Sequence, residues 1–365
     1  AAPAVPPAPA ESPAPAAAPA PAAAAAPAES PAPRVERRKP SEPEPVPQEP
    51  WREVSHVVAH DFGVTSLAFH PNGRVLATGG EDRSVRLWDI ASGKEVVVLL
   101  GHTGPVSVVA FSPNGHFLAA AHSGPPGEAG EPNVLVWELP HRDPKLAFRA
   151  HDEVVNALVF SADSDVLATG GDCRPDHESP TLVFWKVESG EPLGGTRAAD
   201  MSPVRELART PDGSRFAAAC WQTITFYDTE HFQLEDTVNS GSWDQFQCLN
   251  ISGDGRYVAG GCYEYIRVWD LVDSHTVGHF TGYNGNVASV SFCPDHSHLA
   301  GVSIPEGEYA PSPVKIWDVC SHQEVAELAL PTAARVTRLA FAPRGRLLAT
   351  GDSEGVVRFW TLAEA

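Results

Sequence analysis

VTSLAFHPNGRVLATGGEDRSVRLWD, residues 64–89, alternates short β-rich runs with tight turns. VTSLAF and VRLWD set alternate side chains on opposite faces of an extended chain, the two-residue period of a strand. Pro71-Asn72-Gly73 breaks the first run, and Glu81-Asp82-Arg83 separates the second from the third. No helical period competes with this reading.

The pattern returns along the chain. VSVVAFSPNGHFLAAA…NVLVWE (106–138) and VNALVFSADSDVLATGG…TLVFWK (155–186) repeat it closely. VRELARTPDGSRFAAACWQTITFYD (204–228) repeats it more faintly. FQCLNISGDGRYVAGGCYEYIRVWD (246–270), VASVSFCPDHSHLAGVS…VKIWD (287–318) and VTRLAFAPRGRLLATGDSEGVVRFW (336–360) bring the total to seven. The aromatics near the end of each copy (Trp88, Trp137, Trp185, Tyr227, Trp269, Trp317, Trp360) are 49, 48, 42, 42, 48 and 43 residues apart. A run of four short strands in each such period, ending in Trp-Asp, is the blade of a β-propeller. The expected fold is therefore all-β, with seven four-stranded antiparallel blades.

One strand is out of place. REVSHVVAH (52–60) matches KEVVVLLGH (94–102), the outer strand that follows the first copy, yet no blade precedes it. The last copy stops after its third strand, at Trp360-Thr361-Leu362. The N-terminal strand is expected to complete blade seven, which leaves no open sheet edge at the seam.

With seven copies over residues 51–361 and the Trp-Asp endings, the chain resembles the WD-repeat family. The resemblance implies a ring of blades serving as a protein-binding platform without catalytic activity. It also implies a structural hydrogen-bond set in blade one, formed by His60, Thr78, Asp82 and Trp88. His102 and His151 stand at the histidine position of the next two blades, and Tyr283 replaces it in the sixth.

Composition bounds the rest. Residues 1–50 hold 16 of the 35 prolines and almost no large apolar side chain, so this segment is expected to be a disordered Pro/Ala-rich linker ahead of a propeller over 51–365. The net charge is −20, of which the linker carries −2 (four basic, six acidic), leaving −18 for the globular part. Nucleic acid and anionic membrane both select a basic surface, so neither is an expected partner. No apolar run approaches the ~18 residues of a membrane helix. The six cysteines include no C-x-x-C pair. They are expected to be small buried thiols, with no metal or cofactor and a cytoplasmic setting. Arginine outnumbers lysine 21 to 5, a bias that points to a GC-rich, bacterial genome.

Two motifs suggest chemistry and are expected to be structural. Gly351-Asp352-Ser353-Glu354-Gly355 matches the serine-hydrolase G-x-S-x-G, but strand patterns flank it on both sides, where a nucleophile elbow needs a helix after the turn. CPDHSH (293–298) gathers metal-ligand types, but it aligns with the hairpin turns SPNGHF and HPNGRV.

Function is expected on the face carrying the turns between second and third strands and the connections between blades. Long insertions fall there within 122–133, 171–181 and 303–313. So do the aromatics Trp221, Trp243, Tyr263, Tyr283 and Tyr309 of blades four to six, the candidate contacts for a protein or peptide partner. The expectation is a monomeric interaction scaffold tethered to a larger chain or assembly. The alternatives are a ligand-binding or catalytic site in the central channel, and a sensor domain of a bacterial signalling protein.

Overall fold

The computed structural model describes residues 50–122, 131–172, 179–197, 202–240, 245–305, 312–328, 330 and 334–362. The expected linker up to residue 49, Trp243, Tyr309 and most of the three long insertions lie outside these residues.

Among the described residues all regular structure is strand. The chain enters as β1 (Trp51–Val58) and then builds antiparallel sheets in sequence order. The first is β2 (Val64–Phe69), β3 (Val75–Gly80), β4 (Val85–Asp89) and β5 (Lys94–Leu99). The second is β6 (Val106–Phe111), β7 (Phe117–His122), β8 (Val134–Glu138) and β9 (Leu146–Phe148). The third is β10 (Val155–Phe160), β11 (Val166–Gly171), β12 (Leu182–Lys186) and β13 (Pro192–Thr196). The fourth is β14 (Glu206–Arg209), β15 (Arg215–Ala219), β16 (Thr223–Asp228) and β17 (Leu234–Asn239).

Sheets five and six share a strand. β18 (Cys248–Ile251), β19 (Tyr257–Gly261) and β20 (Tyr263–Asp270) run into β21 (His275–Phe292), then β22 (His298–Ile304), β23 (Val314–Asp318) and β24 (Glu324–Leu328). Up to Thr281, and again at Asn286, β21 pairs with β20 as an outer strand; from Asn286 onward it pairs with β22 as an inner one. The last sheet is β25 (Val336–Phe341), β26 (Leu347–Asp352) and β27 (Val356–Leu362), and its fourth strand is β1, paired from Trp51↔Leu362 to Val58↔Val356 with a register shift between Glu53 and Ser55.

The inner strands β2, β6, β10, β14, β18, β21 and β25 touch one another in that order, and β25 touches β2. The core is accordingly divided among seven clusters, each lying between two successive sheets. The one between the last and the first holds Val57, Val64, Leu76, Trp88, Val357 and Phe359. Fully burying one such side chain contributes about 1.5–3 kcal/mol.

Small residues in the second strands let the sheets approach. A Cβ on Gly79 would lie 2.6 Å from Val106 of the next inner strand, and one on Gly351 would lie 2.6 Å from Val64. The valine that opens each of these inner strands is thus seated over a glycine of the preceding sheet, at the seam between last and first sheets as elsewhere.

Candidate functional site

The polar set of the first sheet forms a directed chain of hydrogen bonds. The Trp88 indole Nε1–H donates to Thr78 Oγ1 at 3.2 Å, and the Thr78 hydroxyl donates to His60 Nε2 at 2.7 Å. His60 Nδ1–H donates to Asp82 Oδ1 at 2.9 Å, so the relay assigns the proton to Nδ1 of a neutral ring. Burial lowers the His60 pKa, and the Asp82 carboxylate offsets this only in part. Burial opposes the Asp82 carboxylate as well, but the hydrogen bonds from Ser84 and from the His60 ring outweigh it, and the carboxyl stays below its ordinary pKa. Gly80 makes room for the ring, since a Cβ there would lie 2.3 Å from His60 Nδ1.

Every group in this relay is satisfied by another member, which leaves none of them for a substrate. Asp82→Ala is expected to strand the buried Nδ1–H and lower stability by about 1–3 kcal/mol. Glu354→Ala, at the aligned position of the last sheet where the side chain is exposed, should shift the urea midpoint far less. Equal shifts for the two variants would show that the relay contributes nothing.

The other sheets depart from the set in ways that size and polarity explain. In the third, His151 Nε2 lies 2.9 Å from Thr169 Oγ1, which also accepts Trp185 Nε1–H at 3.0 Å. In the second, Ala120 removes the bridging hydroxyl and His122 stands where Gly80 stands in the first. His102 Nδ1 then meets His122 Nδ1 at 3.2 Å, and Trp137 Nε1 has no hydrogen-bond partner among the described residues. Burial takes the His102 pKa down to about 3.

Tyr283 corrects an expectation. It was expected among the partner contacts but is buried, and its hydroxyl accepts Trp317 Nε1–H at 3.0 Å. A Cβ on Gly301 would lie 2.5 Å from that oxygen. The tyrosine therefore spans the space that histidine and threonine share in the first sheet, and the facing glycine accommodates it.

The two chemical motifs have structural uses. Ser353 is exposed in the turn between β26 and β27 and exchanges hydrogen bonds with the Arg335 backbone; a strand follows it, with no helix. Cys293, Asp295 and His298 bring donor atoms within 4.8 Å of one another. Their arrangement repeats a clasp found in other first hairpins, where Ser161 Oγ donates to Asp163, Thr210 Oγ1 to Asp212 and Ser252 Oγ to Asp254. Cys293 takes the hydroxyl position, and burial pushes its thiol up to about 12. Asp295 accepts from Ser297 and from Arg346 Nε at 2.9 Å.

The loop-rich face carries exposed aromatic rings. Each inner strand leaves this face and each second strand returns to it, so turns after second strands and links between sheets emerge together. Trp221 and Tyr263 occupy equivalent turns of sheets four and five and are 40% and 41% exposed. The Trp221 carbonyl accepts Phe246 N–H at 2.7 Å, one residue before Gln247, and Tyr263 pairs with Asn286. Gln247 and Asn286 line the mouth of the central channel, a cavity of about 330 Å³ whose wall also includes Ser107, Asn156, Arg205 and Arg338. The aromatic turns therefore run directly into the mouth.

Below the mouth lies a second cavity of about 170 Å³. The third residues of the inner strands line up as Ser66, Val108, Ala157, Glu206, Cys248, Ser289 and Arg338, and all but Ala157 reach its wall. Glu206 and Arg338 are the charged members. Desolvation pushes the Glu206 carboxyl up to about 7, against the pull of Arg338. Sequence reasoning passed over Arg205, Glu206 and Arg338; the signal was in the alignment, where polar or small residues stand at the other matching positions.

Stacked four-stranded sheets with cores between them, set around a channel, define a propeller-type repeat protein. Residues 51–89, 93–124, 142–174 and 323–361 match the family described as "WD domain, G-beta repeat", so the chain carries WD repeats. The first match opens on β1, consistent with a sequence unit that begins with the outer strand of the preceding sheet. The chain is similar to "Protein LST8 homolog" of Drosophila melanogaster, 30% identical over 54% of this chain and 60% of that protein. It is 24% identical to "Periodic tryptophan protein 2 homolog" of Dictyostelium discoideum over 62% of this chain and 24% of that protein. It is 23% identical to "p21-activated protein kinase-interacting protein 1-like" of Xenopus laevis over 79% of this chain and 74% of that protein. The chain thus spans less than two thirds of the first two of these relatives.

Proposed function

We propose that this chain is a non-catalytic interaction scaffold that binds a protein segment on its loop-rich face, along the path from Trp221 and Tyr263 to the channel mouth. The observation that carries the reading is the pair of half-exposed rings at equivalent turns of adjacent sheets, continuous with that mouth. Aromatic rings bury large areas with few rotors to immobilise, which concentrates binding energy in a few residues. The relatives support the same reading, one of them being a kinase-interacting protein by name. Cys220, Cys248, Cys262 and Cys293 are buried thiols, whereas Cys320, expected to be buried as well, is exposed; a cytoplasmic setting is proposed as part of the same reading.

The test is binding to a partner recovered by proximity labelling in the source cell. Trp221→Ala or Tyr263→Ala is expected to weaken binding by about 2 kcal/mol, near thirtyfold, with unchanged melting. Lys94→Ala, at the exposed start of β5 on the opposite face, should bind like wild type. Wild-type affinity in both folded aromatic variants would remove these turns from the binding surface.

A further inference from the structure

We propose that the channel mouth takes a carboxylate of the bound segment, an acidic side chain or a free C-terminus, on the guanidinium groups of Arg205 and Arg338. The inference rests on the protein-binding reading above and names the chemistry at its centre. The globular part carries −18, yet the mouth is lined by two arginines with Ser107, Asn156, Gln247 and Asn286, and by no carboxylate among the described residues. Two acids close by are already placed: Asp172 accepts Asn156 Nδ2–H at 2.8 Å, and Glu206 lines the second cavity beneath.

The two arginines are held differently, and both are available. Arg338 Nη1 donates to the Thr337 carbonyl at 2.9 Å and to the Ala288 carbonyl at 3.4 Å, which fixes the guanidinium at the mouth without neutralising it. Arg205 Nε is buried and has no hydrogen-bond partner among the described residues. A buried guanidinium N–H without an acceptor is a costly arrangement that an incoming oxyanion relieves, and the planar fork of the group suits a carboxylate. Among oxyanions the acidic surroundings favour the one with least charge. A carboxylate brings one negative charge, a phosphate close to two, and a nucleic acid a whole row.

The probe is N-acetylglutamate amide, titrated into the full chain at low salt while the arginine Nε–Hε signals are followed by NMR. Saturable shifts of the Arg205 and Arg338 signals are expected, with none from N-acetylglutamine amide or N-acetyllysine amide. Arg205→Gln should weaken the response about tenfold, the loss expected for a charge-assisted pair. This variant keeps the test decisive even if Arg338→Gln, which removes backbone contacts, does not fold. Lys94→Ala, on the opposite face, should leave the titration unchanged, and because the probe is too small to span the aromatic turns, failure of the mouth is read separately from failure of that platform. A response equal to that of the glutamine compound, or none, overturns the proposal. Inorganic phosphate binding more than about tenfold tighter than the carboxylate also overturns it, assigning the mouth to phosphate.

Discussion

Removing residues 1–58 is expected to abolish cooperative unfolding, while removing residues 1–48 leaves the melting temperature where it is. The shorter deletion takes only Ala/Pro-rich sequence with little to bury. The longer one takes β1, which pairs with β27 from Trp51↔Leu362 to Val58↔Val356. Its ladder hydrogen bonds are worth about 0.5–1.5 kcal/mol each. Val57 leaves the cluster shared by the last and first sheets, and Trp51 leaves its edge-to-face contact with Phe341, at 6.0 Å between ring centres. Glu53 also leaves Arg358, 3.7 Å away. Together these losses approach the whole margin of about 5–15 kcal/mol that holds a domain folded. The strand left at the edge, VVRFWTL, is apolar and unpaired, a template for association. Calorimetry and size-exclusion chromatography of the two truncations make the comparison. Identical melting and monomeric elution for both would show that closure does not depend on this strand.

Glu206→Gln is expected to stabilise the protein at pH 8 by about 1–3 kcal/mol and to have no effect near pH 4. The sign follows from the direction of the shift. Desolvation in the channel pushes the carboxyl up to about 7, from an ordinary value of 4.5 in the unfolded chain. Below the unfolded value both states are protonated and the side chain costs nothing. Between the two values the unfolded chain ionises while the folded one keeps its proton, so stability falls as pH rises. Above about 7 the carboxylate is charged in both states and the loss is complete. Channel water wets the side chain in part, which is why the gain is set below the full value of the shift. Glutamine keeps the shape without the charge. Urea midpoints of wild type and variant at the two pH values decide the matter, and a difference independent of pH would contradict the account.

Much of the architecture is legible in the sequence because its causes are local and repeated. Two-residue alternation makes strands, Pro-Asn-Gly and Pro-Asp-Gly make hairpin turns, and the Trp-Asp endings count the units. The match of REVSHVVAH to KEVVVLLGH foretells the strand pairing of β1 with β27, since like sequences take like places in a repeat. The relay from Trp88 to Asp82 is legible for the same reason, because all four residues keep their positions in one complete copy.

What the tertiary structure alone decides are the places where two distant positions compensate each other. Tyr283 is core because Gly301 faces it across a strand pair, so reading the aromatic by itself put it on the surface. His60 fits because Gly80 lacks a Cβ, and His122 at the matching position sends the second sheet down another path. Cys293, Asp295 and His298 look like metal ligands until the neighbouring hairpins show the same clasp built with hydroxyls. The charged groups of the channel are the furthest from sequence reach. Glu206 and Arg338 share one channel wall only because inner strands 132 residues apart are brought round a common axis. Strand period and turn chemistry act over a few residues and are written in order along the chain. Steric fit and electrostatic proximity act through space, and space is ordered only once the sheets have stacked.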